Sequence, residues 1–550
     1  MNTVTNAWFI IERNQRLSSS ILWNMQRNFF VQQGIDAWRQ GIVPHYITSN
    51  PFIANAYVQL VAGFLRDYHS DYISLDRSQP IYIVELGAGS GRFAFHFLKK
   101  FQNFHERSTL KDIPIKYVMT DFTQRTIDSW QAHPLLQPLV EQGQLDYAKF
   151  DVINDIELKL IHSGEILSPG TVRNPLIVIA NYFFDGIPQD AFYIEDGHLY
   201  ESLVSITSPN QETDLTDPDL LNRIEITYEH RPVNGSYYDD PACNHILQEY
   251  QQQLTETFLL FPCAPIDCIR KLGHLSKGRL LLLTADKGYS RGADLQGRGQ
   301  PGITVHGSFS ITVNYHALGK YIVKQGGQVL HTAHRHNSLD VSAFVLGTSP
   351  NSIIETRQAY ATAIEQFGPD DFFTLKKGIE KTYDTLTIPQ IISYLRLSGW
   401  DANIFLGCFP ALLIRVDHLS GAERQELSKA IQQVWETYYP IGEERDLAFN
   451  MGMLLYGMEY YADALYYFQQ SLMLYGPDVS TIYNMGMCYY CMGQLENALE
   501  CINQALALEP TFQKFREMRV KIEGEINCVA DRQSLTTTHQ AGLALPASGT

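Results

Sequence analysis

Residues 81–101, "IYIVELGAGSGRFAFHFLKKF", decide how the rest of the chain is read. IYIVEL is a short apolar run of the kind that forms a buried strand, and from Arg92 the apolar residues recur at helical spacing. Between them, glycines fall at 87, 89 and 91. A strand that turns through glycine directly into a helix points backbone N–H groups and a helix N-terminus at whatever lies beyond the strand end, which suits an anionic or polar ligand. Glycine lets that ligand approach the backbone closely.

Outward from this turn, short apolar runs alternate with helical patterns: IKYVMTDF, then PLIVIANYFFD, later RLLLLTADKGYS. The alternation predicts an α/β fold with a mainly parallel sheet and helices on both faces. DAFYIEDGHLYESLVSI reads as a hairpin turning at Asp196-Gly197. GADLQGRGQPG, residues 292–302, reads as a long surface turn, with a mobile lid as the other reading. Residues before 79 look mostly helical, as in ANAYVQLVAGFLRDY.

Beyond about residue 350 the texture is helical again and contains a repeat. Asn450, Gly452, Ala464, Phe468 and Ser471 each recur as a similar residue 34 positions later, at Asn484, Gly486, Ala498, Ile502 and Ala505. That period with small residues at these places is the tetratricopeptide (TPR) signature. Gly486 and Ala498 let two helices approach, Tyr489 and Leu495 fill the space between them, and Pro510 ends the second helix. The reading divides the chain into a helical segment 1–78, an α/β domain 79–347 with a hairpin and helical insertion, a helical extension 348–419, TPR-like repeats 420–526 and a disordered tail 527–550.

The 550 residues are 45% hydrophobic and 18% charged, an ordinary globular composition with room for a large core. The formal net charge of −17 argues against unaided binding to nucleic acid or anionic membrane and favours a basic partner. Eight scattered cysteines suggest a reducing compartment. The first residues have no signal-peptide or transit-peptide layout, and no apolar run is long enough for a transmembrane helix. The expectation is a cytoplasmic protein.

The spacing Gly87-x-Gly89-x-Gly91 is not the G-x-G-x-x-G of dinucleotide folds. Preceded by Glu85, it resembles motif I of class I S-adenosyl-L-methionine (SAM) methyltransferases. That resemblance implies that Glu85, Gly87, Ala88, Gly89, Ser90 and Gly91 bind SAM. Supporting residues follow in order. Asp121 ends the next strand, with Phe122 beside it, and a carboxylate there can accept from both ribose hydroxyls. Phe150 and Asp151 suit stacking on adenine and accepting from its amino group. Asn181 ends a fourth strand, at the rim where ligands meet open α/β sheets.

Further segments resemble the MidA family of class I methyltransferases. ANYFFDGIPQDAFYIEDG is similar to its "NEFFDALPV", PHYITSNPFIANAYVQLVAGFL to its "F-T-T-S-P-E" segment, LLLTADKGYSRG to its "LLIDYGYPR", and ITVNYHALGKYI to its "DITAHVDFTAL". They occur in the family's order over about residues 40–347. The resemblance implies a class I methyltransferase with a helical insertion, and adds Thr48 and Ser49 to the expected cofactor-binding residues. A mitochondrial member of that family assists assembly of respiratory complex I and dimethylates an arginine. This chain departs from the family pattern in several places. Tyr182 stands where the family has a glutamate, and a tyrosine cannot hold a guanidinium bidentately. Asp286-Lys287-Gly288 replaces Asp-Tyr-Gly, and TVNY lacks the family histidine.

Methyl transfer from a sulfonium is an in-line displacement, so the enzyme must align the acceptor, exclude water and take a proton where the acceptor carries one. The expected catalytic residues are Asn181, which can orient an acceptor through its amide, Tyr182, which offers a hydroxyl and a cation–π face, and Asp185, a base or clamp. Asp185 as a helix cap and Tyr182 as core packing are the structural alternatives. Cys488-x-x-Cys491 reads as TPR packing, and His331, His334 and His336 in HTAHRH as rim or loop residues more than a metal site. Two functions are expected from these features. One is a protein methyltransferase, with arginine or lysine in play, whose TPR region recruits the substrate or partner. The other is a SAM-binding assembly factor or scaffold with little turnover.

Overall fold

Seven strands build the central sheet; numbered for that sheet alone, they are β1 (Ile81–Glu85), β2 (Ile115–Asp121), β3 (Leu145–Lys149), β4 (Leu176–Asn181), β5 (Leu280–Asp286), β6 (Gln328–Leu330) and β7 (Asp340–Leu346). Their order is β6-β7-β5-β4-β1-β2-β3. The β3-β2-β1-β4-β5 run is parallel, while β7 inserts antiparallel between β5 and β6. β1 and β5 are buried along their whole length, which is what a parallel sheet covered on both faces requires of near-continuous apolar runs. This computed structural model describes residues 8–70, 75–217, 219–349 and 352–541.

The chain divides into two compact units, Met1–Gly378 and Ile379–Thr550, so the expected helical extension 348–419 is shared between them. In the first unit, α1 (Leu22–Gln33) and α2 (Pro51–Ser70) precede the sheet, and α3 (Arg92–Glu106) follows the glycine turn. α3 buries Phe93, Ala94, Phe97, Leu98 and Phe101, one helical stripe, with the Phe97 and Phe101 rings stacked 5.5 Å apart. The hairpin forms as expected: 190–195 and 198–208 pair antiparallel, and Asp196 and Gly197 both take positive φ, +49° and +73°. It recruits further strands, 225–232, 257–261 and 9–15, into a second sheet of five. Residues 9–15 are therefore a strand and not part of a helical segment, because the long 198–208 strand offers them a hydrogen-bonding edge.

The 292–302 stretch contains a short helical turn, Gly292–Leu295, fixed by the Arg291–Asp294 ion pair and by Arg298 lying over the Tyr289 ring.

The second unit is all helix. Gly452 and Gly486 sit where their partner helices come closest. A Cβ on Gly452 would lie 2.6 Å from the Phe468 ring, and one on Gly486 would lie 3.2 Å from both Cys501 Cβ and Ile502 Cδ1. Ala464, Phe468, Ala498, Ile502 and Ala505 are fully buried, and Tyr489 and Leu495 pack half-buried beside them. Asp446 and Asp478 cap the first helix of each pair by accepting from Phe449 and Thr481 backbone N–H groups. The last helix, Gln513–Ala541, buries Phe515, Met518 and Ile522 against the repeat and continues through residues 527–541, where the sequence leads one to expect disorder. Residues 542–550 of that expected tail lie outside the described residues. Among the described residues, no helix is long and apolar enough to cross a membrane.

Candidate active site

A cavity of about 200 Å³ opens beyond the C-terminal ends of β1 to β5, the edge of a parallel sheet where ligands bind. Each strand end contributes to its lining: Gly87 after β1, Asp121 and Phe122 at β2, Phe150 and Asp151 after β3, Tyr182 and Asp185 after β4, and Lys287 after β5. Trp23, Gln26, Arg27 and Phe30 of α1, together with Trp38 and the 306–310 stretch, form the opposite wall.

The glycine turn has the conformation its residues allow. Gly87, Gly89 and Gly91 all have positive φ, between 53° and 78°, where side chains are strained. A Cβ on Gly87 would lie 2.9 Å from the Phe183 ring, and one on Gly89 would lie 2.9 Å from Trp38. The Gly89 carbonyl accepts from the Trp130 indole N–H at 2.9 Å.

Asp121 is buried, and one of its oxygens accepts from both the backbone N–H and the hydroxyl of Thr123. Burial raises its carboxyl to about 6, with the Thr123 donors pulling the other way. Asp151 is more exposed and is held below the usual carboxylate range: the donors Arg27 and Asn154 outweigh the effect of burial. Glu85 does not line the cavity; it accepts from the Tyr117 hydroxyl at 2.9 Å, and burial pushes its carboxyl up to about 8. Thr48 and Ser49 do not line it either. Both hydroxyls donate to the His45 carbonyl and close the short helix Tyr46–Ser49.

After β4 the chain turns sharply, and Tyr182 takes φ +47°, a conformation few non-glycine residues adopt. Asn181 accepts from the Tyr57 hydroxyl at 2.8 Å, and its amide nitrogen is buried without a partner. Asp185 lies in the short turn Phe184–Gly186, beside Asp286, the last residue of β5. Both carboxyls are buried. Asp286 also accepts from the Tyr315 hydroxyl at 2.8 Å. Burial, and then the charge of Asp185, raises Asp286 well above the carboxylate range. Burial raises Asp185 too, to about 6, with the neighbouring Asp286 and the Lys287 charge pulling the other way. Two neighbouring buried carboxyls resist ionising together, so the pair favours holding a proton, with Asp286 the more strongly raised of the two. It can attract a cation and take up a proton.

Of the expected residues, Gly87, Asp121, Phe122, Phe150, Asp151, Tyr182 and Asp185 meet around the cavity, whereas Ala88, Gly89, Ser90, Gly91 and Asn181 do not line it. Sequence reasoning left out Asp286 as a site residue, although it ends a strand by the same rule that singled out Asp121. Arg27 and Trp38 carried no comparable signal. The histidines of HTAHRH are absorbed elsewhere, His331 by Ser342 and His336 by Thr332. Among the described residues no group of histidine, cysteine and acid side chains is placed to hold a metal ion.

Residues 68–301 match the model of a family described as "Putative S-adenosyl-L-methionine-dependent methyltransferase". This segment belongs to that methyltransferase family. The segment spans β1 to β5 and every cavity residue after the glycine turn except the 306–310 stretch. Residues 479–512 match the TPR model, which coincides with the helix pair containing Gly486 and Ala498. Two solved structures from Burkholderia thailandensis are similar to the chain. One is a "likely methyl transferase" bound to S-adenosyl-homocysteine, at 12% identity over 64% of this chain and 91% of the other, with a TM-score of 0.39. The other is a native structure from the same superfamily, at 12% identity over 63% and 90%, with a TM-score of 0.36. No curated protein matches the chain.

The cavity residues of the methyltransferase domain fit SAM. Gly87 leaves its part of the wall without a side chain, and Asp121 is a buried carboxylate at a strand end, suited to ribose hydroxyls. Asp151 and Phe122 suit adenine.

Proposed function

We propose that the methyltransferase domain methylates a basic side chain of a protein and that the TPR region recruits the substrate or a partner. The observation that carries this reading is the buried Asp185, which lines the cavity next to Tyr182 and is backed by the buried Asp286 behind it. When bound, SAM supplies an electrophilic methyl group on a sulfonium. The chain's own groups would do the rest. One negative charge on the acid pair draws an amine or guanidinium to the strand ends, and Asp185 accepts the proton that an N–H acceptor releases. The Tyr182 ring offers a cation–π surface beside it, and Phe122, Phe150 and Phe183 help exclude water. The chain's net charge of −17 favours a substrate segment with basic character.

A second reading, a SAM-binding assembly factor with little turnover, is favoured by Asn181, which does not line the cavity where an acceptor would enter. Intact-mass and tandem mass spectrometry of proteins co-purified with the chain, with and without added SAM, separates the two. Asp185→Asn should leave SAM affinity nearly intact and cut methyl transfer about tenfold or more. A wild-type chain that binds SAM but methylates nothing it captures would favour the assembly factor. An unchanged rate in Asp185→Asn would reduce Asp185 to a structural turn residue.

A further inference from the structure

We infer that Arg27 occupies the adenine subsite, and that the cofactor's adenine and the Arg27 guanidinium compete for one place on Phe122 and Asp151. The inference rests on the reading that SAM binds at the glycine turn with its adenine towards β3.

Adenine and guanidinium are alike in what they present: a flat π-system edged with N–H donors. α1 carries the Arg27 guanidinium 4.5 Å from the centroid of the Phe122 ring, where an adenine would stack. From there Nη2 donates to Asp151 Oδ2 at 2.7 Å, and Nη1 donates to Oδ1 at 3.3 Å. The rest of the Asp151 carboxylate is in use as well. Oδ1 accepts from the Ile153 backbone N–H at 3.1 Å, and Oδ2 from the Asn154 amide at 2.8 Å. An ionised carboxylate has about four acceptor positions, and these four donors fill them. An adenine amino group finds an acceptor on Asp151 only when Arg27 leaves.

Leaving is inexpensive. The Arg27 side chain is 38% exposed and returns to water when freed, while Asp151, 18% exposed, exchanges the guanidinium for the adenine amino group. Adenine then takes over both the stacking and the donation. A ligand without an amino group on that edge replaces only the stacking, so Arg27 also selects for adenine.

The test is calorimetric titration of the full-length chain with S-adenosylhomocysteine, which carries no net charge, so that general electrostatic attraction does not enter. Arg27→Met keeps the length of the stem and removes the donors. It should bind S-adenosylhomocysteine about three- to tenfold more tightly than wild type. Wild-type affinity should rise with added salt, because salt screens the pair that has to break, and the variant should not show that rise. If Arg27→Met destabilises α1 in a melting experiment, Arg27→Lys carries the test: it keeps the charge, loses the plane and should bind with intermediate affinity. Unchanged or weaker binding in the variants, beside normal wild-type binding, overturns the competition and leaves the site reading intact. A wild-type chain that binds no S-adenosylhomocysteine overturns both.

Discussion

Asp121 and Glu85 show how burial tunes a carboxyl for different ends. Asp121 has its carboxyl raised to about 6 by burial, yet it must be ionised to accept well from ribose hydroxyls. SAM affinity should therefore fall as pH drops through about 6, and Asp121→Ala should weaken binding by about 1–3 kcal/mol at neutral pH. Calorimetry at several pH values checks both, and a flat pH profile would mean that another group holds the ribose. Glu85 does not line the cavity, and its proton is linked to folding. Its carboxyl lies at about 8 in the folded chain, against 4.5 for an ordinary glutamate. The folded state thus binds this proton more tightly than the unfolded state. The stability it contributes is present below the ordinary value and is lost as pH rises towards about 8, at up to about 1.4 kcal/mol per pH unit. Glu85→Gln keeps an acceptor for the Tyr117 hydroxyl and removes the titration. Its melting temperature should exceed that of the wild type increasingly from about pH 5 to about pH 8.

At the scale of elements, the TPR helix pairs depend on close approach. Gly486 lies where any Cβ would press on Cys501 and Ile502, and overpacking of that kind costs about 1–3 kcal/mol. Gly486→Val should lower the thermal transition of the second unit and leave SAM binding unchanged. A variant that melts like wild type would show that the helices Val479–Cys491 and Leu495–Leu508 can separate without loss. The α/β elements depend on register instead. β4 and β5 run parallel side by side, with Asn181 opposite Ala285, and this pairing brings the turn after β4 to the end of β5, where Asp185 meets Asp286.

For the whole molecule, the division after Gly378 has a direct consequence. Every cavity residue lies in the first unit. A chain ending at Gly378 should fold and bind SAM with wild-type affinity, and should lose the capture of partners that the TPR region is proposed to provide. Loss of SAM binding in that shortened chain would mean that the helical unit is needed to complete the fold of the methyltransferase domain.

What could be read from residues alone was decided by short-range chemistry. Gly87, Gly89 and Gly91 permit a turn that few other residues can make; Asp196-Gly197 selects its hairpin turn for the same reason. Gly486 and Ala498 mark a helix pair because small residues at fixed spacing suit that packing. Each signal sits within a few turns of the chain and is largely independent of the rest of the molecule. Long-range pairing decided the remainder. The strand at 9–15 exists because the 198–208 strand has an edge to offer. Asp185 and Asp286 are distant in sequence and became a pair because two parallel strands end side by side. Arg27 came to lie over Phe122 because α1 covers the sheet's C-terminal edge. Thr48, Ser49 and Glu85, named from resemblance, turned to the backbone and to Tyr117 because a buried polar group satisfies itself with the nearest partner, and only the packed structure determines which partner that is.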